Sequence, residues 1–134
     1  MDCPVCKNAM VVLELEDVEI DHCHDCGGIW LDAGELELLV EDRGKAERLL
    51  QSFKVENNPK EALRKCPICL KKMKKIIVGE GTPLLFIDKC AKGHGLWFDA
   101  GELQDVLNRA QLGPDSKIQK LLADMFGTEG VTES

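Results

Sequence analysis

The chain has no tyrosine, four phenylalanines and two tryptophans among 134 residues, so aromatics make up only 4% of it. That shortage excludes a large aromatic core and an array of base-stacking side chains. No run approaches the ~18 consecutive apolar residues of a membrane-spanning helix. The opening Met1-Asp2-Cys3 lacks the basic region and apolar stretch of a secretory leader. Net positive charge is missing too: the formal charge is −7, which disfavours non-specific binding to a phosphate backbone. Cysteine is absent from most of the chain, and all seven copies fall in four places. An odd number with no leader argues against a secreted disulfide scaffold and for a cytoplasmic protein with reduced thiols.

What is present is a sentence written twice. Cys23-His24-Asp25-Cys26-Gly27-Gly28-Ile29-Trp30-Leu31-Asp32-Ala33-Gly34-Glu35-Leu36 returns as Cys90-Ala91-Lys92-Gly93-His94-Gly95-Leu96-Trp97-Phe98-Asp99-Ala100-Gly101-Glu102-Leu103. A Cys-Pro-x-Cys pair precedes each copy, at Cys3 and Cys6 and at Cys66 and Cys69. With His94 as the eighth ligand, the spacings C-x2-C-x16-C-x2-C and C-x2-C-x20-C-x3-H make two tetrahedral zinc sets. The expectation is therefore two structural zinc ions, one on Cys3, Cys6, Cys23 and Cys26, the other on Cys66, Cys69, Cys90 and His94. Each repeat is too short to be stabilised by burial alone, so metal binding and folding are expected to be one event in each.

Other chemistries use the same residue types. A redox Cys-x-x-Cys works as a single pair in a strand-to-helix turn, whereas here two pairs face each other. Four cysteines would also accept iron, but the histidine of the second set favours zinc. Without His94, three cysteines would leave an open zinc position of catalytic type, although no acid–base motif stands nearby. His22 and His24 bracket Cys23 beside a shell that four cysteines already close.

The fold expected is a small metal-stapled α+β protein: two zinc-ribbon units, each a β-hairpin with two knuckles followed by a helix, plus an extra C-terminal helix. Residues 1–53 form the first unit, 54–62 a linker, 63–112 the second unit, 113–126 the C-terminal helix and 127–134 a disordered tail. In the first unit, 10–16 and 18–21 read as a hairpin turning near Asp17. A helix follows, with Leu36, Leu39, Val40, Leu49 and Leu50 on one side, and Gly44 either breaking it or absorbed in it. In the second unit, 73–78 and 84–88 read as the hairpin, then Leu103, Val106, Leu107 and Ala110 recur at helical spacing. Ile118, Leu121, Leu122, Met125 and Phe126 mark the final helix. Asp32 to Glu35 and Asp99 to Glu102 read as capping boxes, the aspartate accepting from the glutamate's amide and the glutamate reaching back. That explains these carboxylates without catalysis. Trp30 and Trp97 are expected to pack each helix onto its metal hairpin.

Charge is uneven along the chain: −9 over residues 1–53, +4 over 54–112 and −2 over 113–134. Thiolate-bound zinc makes the loaded protein more negative still, near −10. Lys71, Lys72, Lys74 and Lys75 concentrate the positive charge around the second unit's first knuckle, as a solvated face, a phosphate-binding patch or a surface that docks on the acidic unit.

The motif C-P-x-C, a hairpin, then C-x-x-C-x-G-x-W-x-D-x-G-E-L resembles the small bacterial zinc-ribbon family named after the zinc finger of transcription factor IIB. Cys3, Cys6, Cys23, Cys26, Gly28, Trp30, Asp32, Gly34, Glu35 and Leu36 match it, as do Cys66, Cys69, Cys90, Gly95, Trp97, Asp99, Gly101, Glu102 and Leu103. The second copy departs where Gly93-His94 replaces the last cysteine. Motifs and hairpins cover about two thirds of the chain. The resemblance implies fold and metal, and a link to transcription by name. The functional expectation is a non-catalytic tandem zinc module that binds a macromolecule. A protein partner comes first, nucleic acid on the basic face of the second unit is the alternative, and a zinc enzyme with an open second site is the third. Neither a membrane nor a small-molecule substrate is implied.

Overall fold

A computed structural model describes residues 1–15, 17–40, 42–57, 59, 62–78 and 84–109. The expected C-terminal helix over 113–126, the tail and Ala110 lie outside these residues, as does the turn over 79–83. The elements in chain order are β1 (Val11–Leu15), β2 (Val18–His22), β3 (Ile29–Asp32), α1 (Glu35–Val40), α2 (Arg43–Gln51), β4 (Lys54–Val55), β5 (Lys74–Ile77), β6 (Phe86–Lys89), β7 (Gly95–Phe98) and α3 (Glu102–Arg109). Among the described residues, no helix is long and apolar enough to cross a membrane.

Both hairpins form where the alternation placed them, β1 on β2 and β5 on β6. Asp17 turns the first with φ +66°, a left-handed conformation that aspartate tolerates better than most residues. Each unit then adds a third strand that the hairpin pattern did not anticipate. β3 and β7 pair antiparallel with each other and join everything into one seven-stranded sheet, in the order β1-β2-β3-β7-β6-β5-β4. The stretch expected as a linker begins with β4, whose Lys54 and Val55 pair with Ile77 and Ile76 and extend the second unit's edge.

The β3–β7 register sets Ile29 opposite Phe98, Trp30 opposite Trp97 and Leu31 opposite Leu96. Each tryptophan thus faces its own counterpart, and the two repeats are related by a local two-fold axis passing between them. Gly28 and Gly95 allow this close approach. A Cβ on Gly28 would lie 2.2 Å from Trp97 Cζ2, and one on Gly95 would lie 2.7 Å from Trp30 Cζ2 and 2.2 Å from the Leu31 carbonyl oxygen.

Side chains alternate across the sheet, giving it two different faces. One face carries Val18, Ile20, Ile29, Leu31, Ile76, Ile87 and Phe98, covered by Leu36, Leu39 and Val40 of α1, Ala46 and Leu49 of α2, and Leu103, Val106 and Leu107 of α3. The opposite face packs Trp30, Trp97 and Met73 against Cys3, Cys23, Cys66 and Cys90. The tryptophans are fully buried as expected, but they seal the cysteine clusters on the face away from the helices. The first unit's helix breaks before Gly44: α2 starts afresh behind Asp42, whose side chain accepts from the Lys45 amide as an N-cap.

Only half of each capping box forms as expected. Glu35 Oε1 accepts from the Asp32 amide at 2.7 Å, and Glu102 Oε1 from the Asp99 amide at 2.7 Å. The aspartate side chains turn instead to the indoles: Asp32 Oδ1 accepts from Trp30 Nε1 at 2.8 Å, and Asp99 Oδ1 from Trp97 Nε1 at 3.1 Å. A fully buried indole N–H needs a partner, and the carboxylate two residues on supplies it.

Candidate metal centres

Each ligand pair sits on a tight knuckle. In the first, the Lys7 amide donates to the Cys3 carbonyl and the Cys3 amide to the Asn8 carbonyl, while the Val5 and Cys6 amides point at Cys3 Sγ from 3.3 and 3.2 Å. The equivalent knuckle of the second unit repeats this: Leu70 donates to Cys66, Cys66 to Lys71, and the Ile68 amide lies 3.3 Å from Cys66 Sγ. The fifth position of each knuckle takes positive φ, +68° at Lys7 and +63° at Leu70. Amides aimed at sulfur temper the thiolate charge that a metal would gather.

The second pairs show how cysteine gave way to histidine. In the first unit the Gly27 amide bonds back to Cys23, and the Cys23 amide to Gly28. In the second the Gly93 amide bonds to Cys90, and the Cys90 amide to Gly95. Both knuckles close over the same span, but the second turns one residue sooner. Cys26-Gly27 therefore becomes Gly93-His94, the positive-φ glycine and the ligand exchanging places (φ +79° and +84°).

The chain folds all eight predicted ligands into two groups, Cys3, Cys6, Cys23 and Cys26, and Cys66, Cys69, Cys90 and His94, with donor atoms in each group within 4.8 Å of one another. Cys3 Sγ lies 3.7 Å from Cys26 Sγ, and Cys69 Sγ 3.7 Å from Cys90 Sγ. A tetrahedron of sulfurs ~2.3 Å from zinc has edges of about 3.8 Å. His94 presents Nδ1, 3.4 Å from Cys90 Sγ and 3.9 Å from Cys66 Sγ, so the imidazole takes the fourth corner. Donor type, number and spacing fit tetrahedral zinc in both groups, and two structural zinc ions belong to this fold.

The thiols are poised unequally. Burial pushes the Cys66 thiol up to about 11 and the Cys26 thiol up to about 12, helped by neighbouring cysteines. Burial also opposes ionisation of Cys90, but the His94 and Lys92 amides and the Cys66 and Cys69 thiols outweigh it and bring Cys90 down to about 6. Cys23 is lowered in the same way, against its burial, by the Cys26 and Asp25 amides. Without metal, each cluster thus favours one thiolate and resists the next. Zinc is what lets all of them ionise together.

His22 and His24 stay outside the first cluster. Burial, and then the proximity of His24, lower the His22 imidazole from its ordinary value.

The lysine set divides. Lys71, Lys72 and Lys74 are exposed, but Lys75 is buried, with Nζ 2.8 Å from Oδ1 of the buried Asp88. This corrects the assignment of Lys75 to a binding patch, because a buried and paired ammonium is withheld from any ligand. Lys75 shares a face with Met73 two residues before it, and that period-2 step pointing inward was the sequence signal. Burial pushes Asp88 up while Lys75 and Arg64 draw it down. Arg64 lies 3.9 Å from Asp88 and also pairs with Asp99, tying the ion pair to the carboxylate that holds Trp97. In the first unit the same strand positions pair Val12 with Asp21, without the lysine.

Two metal clusters on two-fold-related knuckles, fused through a shared sheet, define a tandem zinc ribbon. The family model described as transcription factor zinc-finger, the zinc ribbon of transcription factor IIB, matches residues 2–42 and 65–109, and the chain belongs to that family. Comparison with curated proteins and with solved structures gives no match.

Proposed function

We propose that this chain is a non-catalytic, cytoplasmic binding module, whose zinc ions fix a surface that recognises another protein in a transcription-related setting. The observation that carries this is the knuckle surface: Val5, Ile68 and Leu70 stand 39%, 46% and 68% exposed on turns whose backbone the metal holds. Apolar side chains on a preorganised backbone cost little to order on binding. No aromatic side chain among the described residues is exposed, which weighs against recognition of single-stranded nucleic acid by base stacking. A fourth ligand on each zinc leaves no position for substrate, which weighs against the open-site enzyme.

The test is a photo-crosslinking residue placed at Ile68 in the zinc-loaded chain, exposed to native cytosol with and without chelator. The expected result is zinc-dependent protein adducts. Nucleic-acid adducts instead, or adducts indifferent to chelation, would contradict the reading. Nucleic-acid binding on Lys71, Lys72 and Lys74 remains the second reading, supported by their exposure. It requires affinity for oligonucleotides that falls steeply with salt and with Lys→Glu changes at these three positions.

A further inference from the structure

The two units carry different side chains at positions that pair in the same way. At the bridge closing the first knuckle, Asp2 faces Ala9 in one unit and Lys65 faces Lys72 in the other. Farther along the hairpin Val11 faces His22, and its counterpart Lys74 faces Lys89. Directly opposed like charges repel at sheet spacing. The first unit shows that a ribbon closes without them, so the fold does not demand these four lysines.

All four are exposed. Among the described residues, Asp88 pairs with Lys75 and Asp99 with Arg64, and neither of these ion pairs involves the four. Leu70 and Ile68 project from the knuckle that Lys65 and Lys72 close. Lys65 also lines a cleft of about 450 Å³ between the two units, together with Pro4, Lys7, Ala62, Leu63 and Arg64. Positive charge and apolar surface therefore run side by side from the cleft to the strand pair.

We propose that this lysine ledge, with Leu70 beside it, docks an acidic segment of a partner protein that carries apolar side chains among its carboxylates. The proposal rests on the protein-binding reading and gives the partner a chemistry. A nucleic acid fits less well. A long polyanion meets the field of the −9 first unit as well as the ledge, whereas a short acidic segment spans little more than a Debye length of ~10 Å. Leu70 and Ile68 also match peptide side chains and offer nothing to phosphates.

Fluorescence anisotropy on the full zinc-loaded chain tests this with a short labelled peptide of repeated Glu-Glu-Leu, a poly-glutamate of equal length, and single- and double-stranded oligonucleotides. The Glu-Glu-Leu peptide should bind, and more tightly than poly-glutamate or either oligonucleotide. Lys72→Glu with Lys74→Glu should weaken it at least about tenfold, and Leu70→Ser should reduce the preference over poly-glutamate. Arg48→Glu, a charge reversal on α2, should change nothing, with zinc content unaltered in every variant. No peptide binding, equal weakening by Arg48→Glu, or tighter oligonucleotide binding would overturn the ledge. Undiminished protein adducts at Ile68 in the Lys72→Glu, Lys74→Glu chain would overturn it while leaving the broader protein-binding reading standing.

Discussion

At Gly28 and Gly95 a hydrogen in place of a methyl group decides whether the two halves can meet. Each glycine lies beneath the other unit's tryptophan, whose ring is itself pinned by an aspartate. Gly28→Ala forces the Trp97 ring or the strand aside, and should cost about 3 kcal/mol or more in thermal unfolding of the zinc-loaded protein. Gly34→Ala, where a Cβ meets nothing within 4 Å but φ is +91°, tests backbone strain alone and should cost less, about 1 kcal/mol. At the buried pair, Lys75→Ala leaves the buried Asp88 with only the more distant Arg64, 3.9 Å away, a loss of about 3 kcal/mol. Lys75→Met with Asp88→Leu should recover most of it, and a denaturant titration of the three chains checks both statements. The ligands were legible in the sequence because metal geometry fixes their spacing. Lys75 was not, because four lysines around one methionine look like a solvated run until the pleat is known to turn Met73 inward.

Among the elements, hairpins and helices followed from alternation and from the apolar stripe. The third strands did not, because Ile29-Trp30-Leu31 and Leu96-Trp97-Phe98 are buried on both faces and lack alternation. The capping boxes were readable on the glutamate side, whereas the aspartates' preference for an indole two residues back depends on burial of the ring. Burial pushes Glu102 up to about 7, with Asp99 and Asp88 adding to it against the bond from the Asp99 amide. A carboxyl whose folded pKa is raised stabilises the fold when protonated, and that advantage fades as pH rises from its unfolded value near 4.5 through about 7. Glu102→Gln keeps an oxygen for the Asp99 amide and removes the charge. The variant should therefore gain about 1–2 kcal/mol over the native chain at pH 8, after discounting for solvent exposure, and little at about pH 4, below the unfolded value. Melting curves at the two pH values would show it; equal stability differences at both would contradict the assignment.

For the molecule as a whole, the duplicated sentence foretold two metal units but not how they join. Their union depends on one strand from each, paired about a two-fold axis, so residues 1–53 alone would expose β3 as an unsatisfied edge. That fragment, loaded with one zinc, should self-associate as a symmetric dimer with Trp30 against its own copy, and sedimentation would report it. The same symmetry exposes the divergence between the halves: glycine and ligand exchanged at one knuckle, and aspartate, alanine, valine and histidine positions replaced by lysine along one hairpin. All of this depends on metal holding both cysteine clusters, and native mass spectrometry of the full chain and its His94→Ala variant tests that most directly. Two zinc ions are expected per native chain, one retained at the four-cysteine site and one lost or weakly held in His94→Ala, with loss of the fold when chelator strips both. A native chain with a single zinc, or a His94→Ala chain that keeps two as tightly, would contradict it.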